Sequence, residues 1–310
     1  MHPAISVIFF TVTSGAGFGL VALIGAGMPM PEGALAAFLV SALAIGLSAI
    51  GLVSSTFHLG HPERAWRAFS QWRSSWLSRE GVLSVATLLV FGLYALVWMA
   101  TGERIAVLGW LSAIGAVATV VATAMIYAQL KTVPQWNSRL TPVCYLAFAA
   151  ASGFLPAAAI AAYAGLPSFT AGVIAALLVA VAWAVKAVWW NTALRRSLAD
   201  RGSTPESATG LGFIGKVRLL ERPHTGGNYL TREMVHVIGR KHAFKLRWIA
   251  LFLGAALPFL IAAAVALSVL APAWLGLAFL SMAAGLFVER WLFFAEATHA
   301  VSLYYGSRGA

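Results

Sequence analysis

Hydrophobic residues fall into eight long, nearly uncharged runs, which are separated by short polar or basic segments. Each run is close to the roughly 20 apolar residues that an α-helix needs to cross a bilayer. Strands of a membrane β-barrel would be shorter and would alternate in polarity, a pattern that these runs lack. The predicted spans are residues 4–27, 34–56, 81–100, 105–127, 142–163, 170–190, 247–270 and 274–298. The sequence therefore predicts an all-α integral membrane protein, with eight transmembrane helices bundled in a single membrane domain over residues 1–310.

The composition supports lipid rather than water as the main solvent. Of the 310 residues, 60% are apolar and 10% are charged, and the mean hydropathy is +0.84, whereas soluble domains carry about 25% charged residues. The single cysteine, Cys144, lies in an apolar run. One cysteine excludes an internal disulfide, a cysteine zinc site and an iron–sulfur cluster bound by this chain alone. Any metal redox centre would need histidine or carboxylate ligands or would lie on a partner, and no metal site is predicted in this chain.

The positions of lysine and arginine predict the orientation in the membrane. Eighteen of the 21 lie on the side of the three large loops and both termini, two (Lys186 and Arg290) lie inside spans, and the opposite side holds only Arg104. Basic residues stay on the cytoplasmic side during insertion, so both termini and the large loops are predicted to be cytoplasmic. The same rule explains the net charge of +11 without nucleic acid as a partner. No basic residue precedes the first span, which is expected to remain as a helix.

The long basic loop at residues 191–247 exceeds what a connection between two helices requires. It is interpreted either as a docking platform for a cytoplasmic partner or as a surface that binds anionic lipid headgroups. It also contains GLGFIG at residues 210–215, a match to the dinucleotide-binding pattern that has meaning only within a βαβ unit and is set aside. The residues predicted to dock a partner are Arg67, Arg73, Arg79, Lys131, Arg222 and Arg240.

Charged residues inside spans are costly and usually face the interior of a bundle. Lys186 lies near the cytoplasmic end of the sixth span, where its stem is expected to snorkel towards the surface. The last span ends with Glu289, Arg290, Glu296 and His299. At about 100° per residue, Glu296 lies about 20° and His299 about 80° from Glu289, so one inward face is expected to present all three. Alternatively, Glu289 and Arg290 only neutralise other buried charges.

The segment STFHLGHPERAW, residues 55–66, places a histidine at the cytoplasmic end of the second span. His58 and His299 would form a pocket if their helices were neighbours. A haem with two axial histidines needs both on one iron, but no histidine lies in mid-span, and no haem is expected. A quinone needs an apolar slot and a group that exchanges protons near neutral pH, which suits histidine.

Several short motifs occur in order along the chain. The first is the segment His58-Leu59-Gly60-x-Pro62-x-Arg64-Ala65-Trp66. The further motifs, in chain order, are SWLSRE at residues 75–80, Tyr127, TVPQW at residues 132–136, Thr141-Pro142 and Glu289-Arg290 followed by aromatic residues and a histidine. Together they resemble the motifs of the membrane anchor subunits of dimethyl sulfoxide reductase-type molybdoenzymes, which are relatives of the polysulfide reductase anchors. The resemblance covers essentially the whole chain and includes the count of eight helices.

The resemblance implies that His58 takes part in quinone or quinol binding and that the anchor itself carries no haem. It also implies that electrons pass between the quinone pool, ubiquinone or menaquinone, and a ferredoxin-like iron–sulfur subunit that contacts a molybdopterin catalytic subunit. His58 is the predicted catalytic residue. The predicted quinone site comprises His58, Arg64, Trp66, Glu289, Arg290, Glu296 and His299.

Two departures refine this expectation. The 191–247 loop is longer than in the dimethyl sulfoxide reductase anchor, and the arginine bias places His58 in the cytoplasm. Both features resemble the anchors of cytoplasm-facing sulfite-oxidising complexes of the bacterial inner membrane, and they predict sulfite oxidation to sulfate with quinone reduction. The alternatives are a quinol-oxidising anchor of a dimethyl sulfoxide, polysulfide or tetrathionate reductase, a proton-coupled transporter, or a b-type cytochrome.

Overall fold

The structure, a computed structural model, describes residues 4–221 and 238–305, without the side chains of His58, residues 238–241 and Tyr305. Eight helices in this part of the chain are long and apolar enough to cross a membrane, and no strand accompanies them there. The predicted all-α architecture with eight transmembrane helices is therefore confirmed. The helices are α1 (Ile5–Gly25), α2 (Ala34–Ser54), α3 (Trp76–Thr101), α4 (Ala106–Ala128), α5 (Leu140–Ala161), α6 (Ser168–Thr192), α7 (Ile238–Leu251, a π-helical turn Phe252–Ala256, and Leu257–Ala266) and α8 (Trp274–Ala295).

The connections between helices divide between two faces of the bundle. Short turns join α1 to α2, α3 to α4, α5 to α6 and α7 to α8, and they form what we call the turn face. The other connections form the loop face, which carries the short helices Ser55–His58, Pro62–Phe69, Ala199–Arg201, Pro205–Thr209 and Ala300–Tyr305. The segment at residues 210–215 follows the five-residue helix Pro205–Thr209, so it does not open a long helix as a dinucleotide-binding loop does.

Helix α1 lies at the centre of the bundle and packs against α2, α4, α5 and α8. Three of its glycines permit this close approach, which is how small residues act between membrane helices. A Cβ atom would collide with α2 at Gly17, with the backbone of α5 at Gly19, and with the backbone of α4 at Gly25. The spacing of these glycines therefore selects the neighbours of α1.

The π-helical turn of α7 follows from a proline. Pro258 has no amide hydrogen, so the carbonyl of Gly254 loses the helical partner that it would have four residues later. The indole Nε1 of Trp183 in α6 donates to this carbonyl at 2.7 Å. On the other side, Gly285 of α8 lies so close to Gly254 that a Cβ atom would collide with its backbone. The turn is thus held between α6 and α8.

Arg104, the one basic residue predicted for the turn face, caps the C-terminal end of α1. Its Nη2 donates to the carbonyl of Ile24 at 2.7 Å and its Nη1 to that of Met28 at 2.8 Å. Its Nε donates to the hydroxyl of Tyr94 at 2.8 Å. The last carbonyls of a helix lack partners within the helix, and a cation there also offsets the helix dipole. A local structural role therefore explains this exception to the charge bias.

Replacing Arg104 with glutamine should lower the stability of the protein in detergent. The change removes the charge and part of the hydrogen bonding to α1, and we expect the free energy of unfolding to fall by about 1–3 kcal/mol. Thermal unfolding of the purified protein measures the effect. Arg195 is exposed on the loop face and provides the control variant Arg195→Gln. Equal melting temperatures for the two variants would contradict the role given to Arg104.

Candidate functional site

Three charged side chains form one ion cluster inside the bundle. The Nζ of Lys186 lies 2.5 Å from Oε1 of Glu289, and the Nε of Arg290 donates to Oε2 of Glu289 at 2.5 Å. None of these side chains exposes more than 5% of its surface. The interpretation that Lys186 snorkels to the surface is therefore wrong, because its ammonium group is paired inside the bundle. The geometry favours the interpretation that Glu289 neutralises buried cations.

The depth of the cluster follows from the helix ends. Lys186 lies six residues before the end of α6, and Glu289 lies six residues before the end of α8. At about 1.5 Å per residue, both are about 9 Å inside the loop-face end of their helices. Aromatic rings surround the cations, with Lys186 Nζ 3.7 Å from the centre of the Trp189 ring and Arg290 Cζ 4.4 Å from that of Tyr145. These ring faces attract cations at such buried positions.

Glu296 and His299 lie beyond the end of α8. Oε1 of Glu296 accepts from Nη2 of Arg247 at 2.5 Å, and burial raises the pKa of this carboxyl although Arg247 opposes the shift. Nδ1 of His299 accepts from the amide of Val301 at 3.1 Å, and burial lowers the pKa of this imidazole. Helix α8 ends one residue before Glu296, and Glu289 and Glu296 bind different cations.

The TVPQW motif fixes the segment that follows α8. The indole Nε1 of Trp136 donates to the carbonyl of Phe293 at 2.9 Å, and the amide of Thr298 donates to Oε1 of Gln135 at 3.1 Å. The Nε2 of Gln135 also donates to the carbonyl of Arg196, just after α6, at 2.9 Å. The loop between α4 and α5 therefore holds the ends of α6 and α8 together at the loop face.

The backbone of His58 ends the short helix that continues α2, and its side chain lies outside the described part of the structure. The start of this helix is attached to α1, since Oγ of Ser54 donates to the carbonyl of Ser6 at 3.0 Å. Helix α2 packs against α1 and α3. It shares no packed interface with α8 among the described residues, so the condition for a pocket between His58 and His299 is not met.

Arg64 and Trp66 lie in the helix Pro62–Phe69 at the surface of the loop face. The Trp66 side chain is 66% exposed, and that of Arg64 is 56% exposed. The Phe69 ring packs over Gly81 in α3, 3.3 Å from the position of a Cβ atom there. These two site residues are therefore close to α3 and apart from the ion cluster on α8.

Two of the six predicted docking residues cannot be placed. Arg222 lies outside the described residues, as does the side chain of Arg240. Of the others, Arg67 and Arg73 are exposed and stack on neighbouring tryptophans, and Lys131 is exposed on the loop between α4 and α5. Arg79 donates to the carbonyls of Trp72 and Arg73. It therefore holds the loop before α3.

Glu80 is a buried carboxyl that the sequence reasoning missed. Helix α3 begins at Trp76, five residues before the predicted span, and this leaves Glu80 only 4% exposed. Oγ1 of Thr123 lies 2.5 Å from Oε1 of Glu80 and 3.0 Å from the carbonyl oxygen of Thr119. One hydroxyl hydrogen cannot serve both acceptors, whereas a protonated Glu80 can donate to the Thr123 oxygen while that hydroxyl donates to the Thr119 carbonyl. Its place in the SWLSRE motif was the signal available in the sequence.

No three His, Cys, Asp or Glu side chains come close enough to bind a metal ion within residues 4–221 and 238–305. Of the predicted quinone-site residues, the structure brings together Glu289 and Arg290 and, near them, Glu296. It places Arg64, Trp66 and the backbone of His58 in a second region beside α2 and α3, whereas the Glu80 carboxyl on α3 contacts Thr123 of α4.

Comparison with known proteins gives a full-length match. The family model described as DMSO reductase anchor subunit (DmsC) matches residues 1–306. The chain is also 38% identical over 334 aligned positions to a sulfite dehydrogenase subunit from Allochromatium vinosum, and the alignment covers 99% of each chain. The match confirms the family that the histidine and TVPQW motifs indicated. The chain therefore belongs to the DMSO reductase anchor subunit family.

Proposed function

We propose that this chain is the quinone-reactive anchor of a sulfite-oxidising molybdoenzyme in the bacterial inner membrane. The proposal rests on the 38% identity to a sulfite dehydrogenase subunit over 99% of both chains. In this function sulfite and water give sulfate, two protons and two electrons on a molybdopterin subunit. The electrons reach this chain through an iron–sulfur subunit, and quinone takes them up with two protons to give quinol.

The quinone site is proposed beside α2 and α3. Phe57 and Trp66 are 79% and 66% exposed, and they offer apolar surface at the membrane end of the bundle. His58 lies in the same segment, and the Glu80 carboxyl is buried on α3, the helix that packs against α2. An imidazole and a protonated carboxyl are the groups suited to exchanging protons with a quinone oxygen.

The roles of the chain's residues follow from these positions. When bound, the quinone supplies two-electron, two-proton redox chemistry. His58 would hydrogen-bond one of its oxygens, the buried Glu80 would provide a proton, and Arg64 and Trp66 would border the site. Glu296 and His299 hold the segment after α8 in place. The ion cluster at Glu289 and Arg290 balances charge inside the bundle.

The loop face is proposed as the docking surface for the iron–sulfur subunit. Arg67, Arg73 and Lys131 are exposed there, and the exposed ring of Trp72 lies beside Arg73. Arginine and tryptophan are enriched in protein interfaces. An acidic, partly aromatic surface on the iron–sulfur subunit would complement this face.

Replacing His58 with alanine should abolish quinone-coupled sulfite oxidation by the complex. A general acid or base group contributes about 100-fold or more to rate, so we expect a loss of that size with dye-coupled sulfite oxidation unchanged. His61→Ala is the matched control, because His61 is exposed in the same segment and bonds only to Glu63 in the structure. Wild-type quinone kinetics in His58→Ala would refute the assignment.

Replacing Glu80 with glutamine tests whether Glu80 supplies a proton or only supports the structure. Glutamine keeps the size of the side chain and a hydrogen bond to Thr123 but cannot exchange a proton. We expect quinone-coupled turnover to fall about tenfold or more, with dye-coupled turnover unchanged. The control Glu63→Gln changes an exposed carboxylate and should keep both activities. Full quinone activity in Glu80→Gln would remove Glu80 from the mechanism.

The orientation can be tested by labelling single cysteines. In a Cys144→Ser background, Ser74→Cys reports the loop face and Glu103→Cys the turn face, since both positions are exposed. A membrane-impermeant maleimide should label Ser74→Cys only in inverted membrane vesicles and Glu103→Cys only in right-side-out vesicles. The reverse pattern would place the loop face outside and favour a quinol-oxidising reductase.

A further inference from the structure

A small cavity with both polar and apolar side chains in its lining lies between α1, α4, α5 and α8, beside the ion cluster. Its volume of about 30 Å³ has room for about two water molecules, which is too little for a quinone ring. The polar side chains that line it are Thr11, Ser14, Thr123, Tyr145, Ser152 and Arg290.

Arg290 lines this cavity and carries a donor without a well-formed hydrogen bond. The residue is 4% exposed and its Nε is bonded to Glu289. Its Nη1 and the hydroxyl of Tyr145, which also lines the cavity, each have no well-formed hydrogen bond among the described residues, although the two side chains are close enough to interact. An unsatisfied buried donor costs about 1–3 kcal/mol, and more when it is charged. A cavity ligand that accepts a hydrogen bond from Nη1 would remove this penalty.

The hydroxyl groups that line the cavity favour water as that ligand. The hydroxyls of Thr11, Ser14 and Ser152 each donate to a carbonyl three or four residues earlier in their own helix, at 3.0, 2.6 and 2.6 Å. Their oxygen lone pairs remain available as acceptors. An anion bound by Arg290 would face these lone pairs, whereas a water molecule accepts from Arg290 and donates to them.

Thr123 connects the cavity to Glu80, because it lines the cavity and its hydroxyl contacts the Glu80 carboxyl at 2.5 Å. The charges on the two sides are complementary. Lys186, Glu289 and Arg290 sum to one positive charge, so the four residues together are neutral when Glu80 is ionised. No ion pair holds Glu80 in the described part of the chain, and Arg290 is the cation that the cavity brings towards it.

We propose that this cavity is a site for two water molecules through which Arg290 acts as the counter-charge of Glu80. Arg290 is thus a positioning residue, which stabilises the carboxylate left when Glu80 gives its proton to a quinone oxygen. The role in turnover rests on the proposed function, whereas the water site does not.

Two tyrosines on other helices are titratable groups close to Glu80. Tyr127 on α4 and Tyr145 on α5 are close enough to interact electrostatically with it. Helix α2 has no titratable residue, and Glu63, Arg64 and Arg67 of the helix Pro62–Phe69 are exposed to solvent. Arg290 interacts electrostatically with the same two tyrosines, and among the described residues it is the buried cation that lines the cavity.

The first test is an experimental map of the wild-type complex that resolves ordered water. Two waters in the cavity, one bonded to Nη1 of Arg290 and one to the Thr123 hydroxyl, are the expected result. A collapsed cavity, a lipid chain in it, or waters that leave Nη1 unbonded would overturn the proposal. This test is independent of quinone chemistry.

The second test compares two buried threonines one turn apart on α4. Thr123→Val is nearly isosteric and should lower quinone-coupled turnover about tenfold, while Thr123→Ser keeps the hydroxyl and should restore it. Thr119→Val is the control, because its hydroxyl bonds only to the carbonyl of Gly115 in the structure. The infrared carbonyl band of protonated Glu80, identified by its loss in Glu80→Gln, should shift in Thr123→Val and not in the control.

The outcomes separate the two proposals. Unchanged turnover and an unshifted Glu80 band in Thr123→Val would overturn the role of the water site and leave the anchor function intact. Wild-type complex that oxidises sulfite with a dye but never reduces quinone would overturn the proposed function instead. The infrared band and the water density would then still decide the cavity proposal.

Discussion

The buried carboxylate of Glu289 is the interaction on which the loop-face half of the bundle depends. A charge moved into a low-dielectric interior loses several kcal/mol of hydration, and both Lys186 and Arg290 undergo this loss. Glu289 offsets it by giving one oxygen to each cation. Because Lys186 lies on α6 and the other two on α8, the pairing fixes the relative depth of these helices.

The surrounding hydrogen bonds extend this constraint. The Nε1 of Trp189, one helical turn from Lys186, donates to Oγ1 of Thr141 at 3.2 Å, and Oγ1 of Thr141 donates to the carbonyl of Trp136 at 2.8 Å. Trp136 in turn donates to the carbonyl of Phe293 on α8. A chain of hydrogen bonds therefore links α6, through the loop between α4 and α5, to α8. These hydrogen bonds hold the TVPQW motif at the loop face.

The sequence was sufficient to predict the eight helices, because long apolar runs leave few other structures in lipid. Pairing between helices was not predictable, since one sequence does not tell which helices are neighbours. The position of Lys186 near the end of its span suggested that it snorkels to the surface. In the structure it instead pairs with Glu289 on α8. His58 and His299 share the loop face, yet α2 packs on α1 and α3. Glu80 was missed because α3 begins earlier than hydropathy indicates. The first turn of α3 is polar in sequence, so Glu80 was assigned to a loop although its carboxyl is buried.

The ion cluster carries one more positive charge than is needed to pair α6 with α8. A single Lys186–Glu289 pair would join α6 to α8 without surplus charge, and an apolar residue in place of Arg290 would remove a large desolvation penalty. Arg290 instead adds a positive charge and an unbonded Nη1 beside a small cavity. Thr123, which lines the same cavity, contacts Glu80, a carboxyl without an ion pair in the described structure. Excess positive charge on one side and an unpaired carboxyl on the other are each unfavourable alone, and they are complementary whenever Glu80 ionises.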